Sequence, residues 1–229
     1  MFLQQFFDSR TLAAEALAAD ICAALSSAIE ERGEATLVVS GGSSPLEAFR
    51  LLSKMEFDWS LVTVVPSDER WVDVDDPASN AGMLQRDLLQ WSASAARFLS
   101  LYDADVSSTD AAEAIGARVA RLPRPIDYVL LGMGTDGHTA SLFPDDPNIE
   151  AALASKAPCV MARPPSQPLQ RISLTPRVLL DSRQIGLLFF GQDKADVFAE
   201  ASIAGDLAEY PVRSVLRQEM VPVSTYFAL

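Results

Sequence analysis

The feature of this sequence that most limits its fold is a series of short apolar runs without alternation, each followed by a glycine-bearing or charged turn. Thr36-Leu37-Val38-Val39-Ser40, Leu61 to Val65, Asp127-Tyr128-Val129-Leu130-Leu131 and Ile185 to Phe190 are such runs. A strand with one wet face alternates apolar and polar residues, whereas one apolar throughout must be covered on both faces, as in a parallel sheet flanked by helices. Helical periodicity fills the gaps. Asp8 or Ser9 caps a predicted amphipathic helix in which Leu12, Ala16, Leu17, Ile21, Leu25 and Ile29 recur, ending near Gly33. Further helices are predicted over 46–52 behind Pro45, over 80–90, from a Ser108 or Thr109 cap to Leu122, over 193–203, and after Pro211. Additional strands are predicted at 97–101, 159–162, 171–175 and 221–227, with 66–79 an irregular polar segment and four prolines between Pro158 and Pro168 marking a surface loop. Strands alternating with helices imply an α/β fold, a doubly wound and mostly parallel sheet with helices on both faces. Ligands of such sheets bind outside the carboxyl ends of the strands, where the turns lie.

The 229 residues suit one α/β domain over 1–229, and an apolar fraction of 49% with 21% charged residues suits a packed core. With 31 acidic against 18 basic residues, the formal charge of −13 repels nucleic acid and anionic membranes, so neither is an expected partner. Any arginine or lysine beside a glycine turn then becomes informative, because an anionic ligand needs local cations to overcome that field. Cys22 and Cys159 show no metal-ligand spacing, a single histidine precludes any site needing two, and the opening residues lack a basic, apolar leader pattern. A cytoplasmic monomer or small homo-oligomer, with no metal, is the expectation.

Three turns and two cations carry the candidate chemistry. Gly41-Gly42-Ser43-Ser44-Pro45 follows one strand and opens a helix, an arrangement that lets backbone N–H groups approach a phosphate, although a tight strand-to-helix turn explains the glycines equally well. It is neither a P-loop nor a dinucleotide fingerprint. Ser67-Asp68-Glu69-Arg70-Trp71-Val72 is either a carboxylate pair plus arginine at the ligand-bearing edge or a solvated charged loop. Gly132-Met133-Gly134-Thr135-Asp136-Gly137-His138-Thr139-Ala140-Ser141-Leu142-Phe143-Pro144 holds the single histidine behind three glycines, two residues beyond an aspartate. Imidazole accepts a proton from water near neutral pH, and a nearby carboxylate orients it. Arg171 and Lys194 lie where separate turns can converge on an anion. No serine sits in a G-x-S-x-G elbow.

In this order, these pieces resemble the 6-phosphogluconolactonase family, kin of the glucosamine-6-phosphate deaminases. The resemblance rests on Val39 to Pro45, on Asp68-Glu69-Arg70-Trp71-Val72 with Ser79-Asn80, on Gly132 to Pro144, on Gln170 to Thr175, and on Gly191-Gln192-Asp193-Lys194-Ala195. It implies a Rossmann-like fold of the sugar-phosphate isomerase type and metal-free, cofactor-free hydrolysis of a phosphorylated sugar lactone. Carried onto these positions, it implies catalytic roles for His138, Asp136 and Arg70. Arg70 serves either the oxyanion or the phosphate, and Gly41, Gly42, Ser43, Ser44, Asp68, Thr139, Arg171 and Lys194 bind the substrate. The sequence departs from the family in lacking the histidine common between Asp73 and Asn80 and in having Ala78 where an acidic residue is frequent, which leaves Asn80 at most a supporting role. A deaminase normally carries a carboxylate just beyond its histidine and a tyrosine after Asp-Glu; here Thr139 to Pro144 and Arg70 stand there. A catalytically silent sugar-phosphate sensor on the same fold is the other alternative, against which the Asp136 and His138 pair speaks.

Overall fold

Ser9 starts the first helix by accepting a hydrogen bond from the Leu12 N–H at 3.2 Å, and Gly33 ends it. In the computed structural model, which describes residues 2–229, this helix follows an N-terminal strand. In chain order the elements are β1 (Phe2–Phe6), α1 (Arg10–Arg32), β2 (Ala35–Val39), α2 (Leu46–Leu52), β3 (Val62–Pro66), β4 (Asp68–Arg70), α3 (Asn80–Asp87), β5 (Arg97–Phe98) and α4 (Ala111–Val119). They continue with β6 (Tyr128–Gly132), α5 (Ile149–Leu153), β7 (Cys159–Ala162), β8 (Arg171–Leu174), α6 (Pro176–Leu179), β9 (Ile185–Phe190), α7 (Gln192–Ser202), α8 (Arg213–Leu216) and β10 (Val223–Ala228).

Seven strands form one all-parallel sheet in the order β1-β10-β9-β6-β2-β3-β5. Alternate residues of each strand feed two cores. Leu37 and Val39 of β2 and Leu130 of β6 face α1 and α2, through Leu17, Ile21, Leu25, Phe49 and Leu52. Val38, Val129 and Leu131 face the opposite layer, built from Ile115 and Val119 of α4, Phe198 of α7 and Val215 of α8. The sheet is therefore doubly wound. Each fully buried Leu or Ile of α1 stabilises this packing by about 2 kcal/mol, so Ile21→Asp would break it. By length and composition α1 could cross a membrane, at a mean hydropathy of 1.6, yet its apolar stripe lies on the sheet.

From β2 the chain winds outward through β3 to β5, then returns to β6 on the other side of β2 and winds the opposite way. That reversal opens a crevice at the carboxyl ends of β2 and β6, the place where open α/β sheets bind ligands. The first glycine turn leaves β2 and the histidine turn leaves β6, so both flank the crevice.

Several expectations are corrected. Residues 2–6, read as no element, form the edge strand β1, with Leu3 61% and Phe6 67% exposed. The segment 66–79 is not wholly irregular: Asp68–Arg70 pairs antiparallel with β8, which pairs with β7, making a second, three-stranded sheet. A charged triplet has poor strand propensity, and only the tertiary pairing supplies the strand. Arg171 opens β8, as the predicted strand at 171–175 has it, and that strand belongs to this small sheet. Leu12 is exposed, and the buried stripe of α1 runs through Ala13, Ala14, Leu17, Ala18, Ile21, Leu25 and Ala28. Helix α3 stops at Asp87, β5 has two residues, and α4 starts after Asp110 rather than at Ser108 or Thr109.

Candidate active site

A cleft of about 240 Å³ occupies the crevice between the two glycine turns. Gly41, Gly42, Ser43 and Ser44 form one side and Gly132, Met133, Gly134, His138 and Ala140 the other. Arg70, Asp68, Asn80 and Arg171 approach from the small sheet and α3, and Lys194 from the start of α7. Among the predicted site residues, Asp136 and Thr139 are outside this lining. Residues brought together from six separate segments of a strongly acidic chain thus place three cations, Arg70, Arg171 and Lys194, around one cavity.

The Arg70 side is built on a buried carboxylate. Glu69 is fully buried and accepts hydrogen bonds from the backbone N–H groups of Asn80 (2.7 Å), Ala81 (2.6 Å) and Arg70 (2.7 Å), and from the Ser79 hydroxyl at 3.2 Å. It caps the start of α3 from outside the helix, where a negative charge meets the positive end of the dipole. Burial pushes its carboxyl above the usual carboxylate range, against the pull of these three N–H groups. Fixing α3 fixes Asn80, whose amide nitrogen donates to the Asp68 carbonyl at 2.8 Å and whose Oδ1 accepts from Arg70 Nη1 at 2.8 Å. The Ala78 carbonyl accepts from the same Arg70 nitrogen at 2.7 Å. Arg70 is thereby held in one orientation, with its buried Nε lacking a protein partner.

Asp68 is held as firmly. Its two carboxylate oxygens accept from Ser67 Oγ (2.9 Å) and Ser141 Oγ (2.6 Å), and Arg171 Nη1 stands 3.8 Å away. Ser141 lies three residues beyond His138, so Asp68 ties the small sheet to the histidine loop while lining the cleft. Arg171 donates to Gln167 at 2.7 Å and lies 5.1 Å from the Phe143 ring centroid, leaving its own Nε buried and unpaired. Burial, then repulsion from Arg70, lowers the Arg171 pKa. Two mutually repelling guanidiniums with unused donors suit an anion.

On the opposite side, the Asp136 carboxylate accepts from His138 Nδ1 at 2.6 Å and from the His138 backbone N–H at 3.1 Å. Partial burial raises the Asp136 carboxyl, but the hydrogen bond and charge of His138 outweigh it and leave the group below its ordinary range. An ionised carboxylate can only accept, so Nδ1 carries a proton, and whenever the ring is neutral the lone pair is on Nε2 of an imidazole that lines the cleft. The imidazole stacks on Phe143 with centroids 4.2 Å apart. A Cβ at Gly134 would fall 2.2 Å from His138 Nδ1 and 2.4 Å from Asp136 Oδ1, so glycine is required for the pair to form there. Ala140 adopts φ 49°, a strained conformation for a residue with a Cβ, as the chain turns away behind the histidine.

Thr139, expected to bind phosphate, is fully buried and donates its hydroxyl to the Gly132 carbonyl at 2.9 Å, bracing the loop from behind. Lys194 is half-buried. Burial lowers its pKa, Arg10 adds repulsion, and Asp136 opposes both. Sequence reasoning missed the roles of Glu69, Ser141 and Phe143; the Ser79-Asn80 pair that opens α3 was the one available signal for the first.

The family model for glucosamine-6-phosphate isomerases/6-phosphogluconolactonase matches residues 8–223. The chain belongs to this family. Among lactonase members, the 6-phosphogluconolactonase of Rhizobium meliloti is 42% identical over 226 residues, covering 97% of each chain. That of Pseudomonas aeruginosa is 42% identical over 216 residues, 93% of this chain and 90% of its own. The crystal structure of a 6-phosphogluconolactonase from Shewanella baltica superimposes with a TM-score of 0.97 at 39% identity, covering 100% of this chain and 98% of that one. The Rossmann-like fold expected from the resemblance is thus the fold of the family.

Proposed function

We propose that this protein hydrolyses 6-phospho-D-glucono-1,5-lactone to 6-phospho-D-gluconate, the second step of the oxidative pentose phosphate pathway. The observation that carries this reading is the cleft itself, in which one carboxylate-oriented imidazole shares a switch-point crevice with three cations. Near-full-length relatives named 6-phosphogluconolactonase support it.

In the proposed reaction Nε2 of His138 takes a proton from water as the water oxygen bonds to lactone C1. The carbonyl electrons move to oxygen, giving a tetrahedral oxyanion. Collapse re-forms the carbonyl and breaks the bond from C1 to the ring oxygen, which takes the proton back from His138. The product acid then ionises to a carboxylate. Asp136 holds the ring in the correct tautomer and stabilises the imidazolium. Arg70, pinned by Ala78 and Asn80, offers the developing oxyanion a positive charge that needs no reorganisation. Gly41, Gly42, Ser43, Ser44, Arg171 and Lys194 hold the phosphate, and Asp68 keeps Arg171 and the histidine loop in place.

The test is to supply freshly prepared lactone and follow acid release above the spontaneous rate, and in parallel to supply glucosamine 6-phosphate and follow ammonia. Enzyme-dependent acid release without ammonia is expected. Ammonia release would favour a deaminase, and phosphosugar binding with neither product a sensor.

A further inference from the structure

Behind the histidine loop lies a segment that the cleft does not include. After α7 the chain makes a loop over 203–212 and returns into α8 at Arg213. Its Tyr210 ring lies so close to Gly137 that a Cβ there would stand 2.4 Å from Tyr210 Cδ1. Gly137 separates Asp136 from His138, adopts φ +75°, and accepts at its carbonyl a hydrogen bond from the Val212 N–H at 3.0 Å. The middle of the catalytic turn is therefore clamped from outside by one ring and one backbone bond.

The clamp is itself locked. Arg213 is buried, and its guanidinium lies 4.7 Å from the Tyr210 ring centroid. It donates to the Asp206 carbonyl at 2.7 Å, to the Glu200 carbonyl at 3.3 Å and to the Glu209 carboxylate, so it ties the end of α7 to the return of the loop. Its backbone N–H donates to the Tyr210 carbonyl at 2.8 Å. A buried guanidinium bonded to two main-chain carbonyls and a carboxylate, and lying against one ring, fixes a backbone path.

Resting on the reading of His138 as the base, we propose that Tyr210, locked by Arg213, is a positioning residue for the Asp136 and His138 pair. The turn 134–138 is rich in glycine and would otherwise sample other backbone states, misaligning an imidazole whose effect depends on placement to within about 1 Å. Neither Tyr210 nor Arg213 lines the cleft, so the effect reaches turnover through the ring's orientation and not through substrate contact.

The experiment uses Tyr210→Ala and Tyr210→Leu, with Tyr210→Phe as the conservative variant and Arg213→Lys as an independent loosening of the lock. The chain has a single histidine, so ¹⁵N NMR reads the imidazole tautomer without overlap. Expected are a wild-type signal dominated by the Nδ1–H form, its replacement by a tautomer mixture in the Ala and Leu variants, and an approximately tenfold fall in kcat with KM changed less than about twofold. Tyr210→Phe should restore both readouts, and Arg213→Lys should fall between. Unchanged tautomer and kcat in a folded Ala or Leu variant would overturn the proposal. If neither variant folds, a wild-type tautomer and kcat in folded Arg213→Lys overturns it instead. Failure of the base assignment is read separately, since it would show as full turnover in His138→Ala whatever Tyr210 does.

Discussion

The two sides of the cleft are built by opposite means. On the Arg70 side, polar groups are buried and fixed: Glu69 accepts four hydrogen bonds, Asp68 two, and Asn80 bridges Asp68 to Arg70. On the His138 side, the working pair is partly exposed, at 30% and 41% of side-chain surface, on a glycine-rich turn braced from behind. Charges that must meet an anion in an acidic protein are held rigidly, because a mobile guanidinium would pair with one of the 31 acidic residues. The ring that must meet water stays open and is aligned from behind.

The largest effect should come from the open side. His138→Ala is expected to lower kcat by about 10²–10⁴ while binding of 6-phosphogluconate stays within a few-fold, by kinetics and calorimetry. On the fixed side, Glu69→Gln should turn an amide NH₂ toward N–H donors, costing about 2–4 kcal/mol by denaturant unfolding and freeing Arg70. Equal stability would mean the buried carboxylate does not organise α3. Next, Arg171→Met should weaken 6-phosphogluconate binding by about 10–100-fold, whereas Arg70→Met should depress kcat more than affinity; the reverse split would exchange their roles.

The smallest effect is a pH dependence. Burial holds Lys194 below its ordinary value of 10.5, so it loses its charge earlier on the alkaline side than an exposed lysine. Product affinity should therefore fall as pH rises toward that value, and Lys194→Arg, which stays charged, should flatten the fall. Parallel curves for the two proteins would remove Lys194 from the anion site.

What the sequence disclosed follows the same division. The runs at β2, β3, β6 and β9 were legible because burial on both faces leaves no alternation, and the histidine turn because an imidazole two residues from a carboxylate, at a strand end among glycines, has the makings of a base. Strand β4 was not, since Asp68-Glu69-Arg70 reads as surface charge until β8 is beside it. Thr139 entered as a ligand through the family resemblance, and only its bond to Gly132 shows where its hydroxyl goes. Strand β1 was hidden because an edge strand with Leu3 and Phe6 exposed has no clear period. Long-range pairings that place charges leave no local pattern.

The central claim is that the two glycine turns serve opposite ends of one substrate, which a crystal structure of the protein with 6-phosphogluconate tests most directly. The account predicts the phosphate among Ser43, Ser44, Arg171 and Lys194, with the C1 carboxylate within hydrogen-bond reach of His138 Nε2 and Arg70. A phosphate seated on His138, or a C1 carboxylate remote from the imidazole, would contradict it.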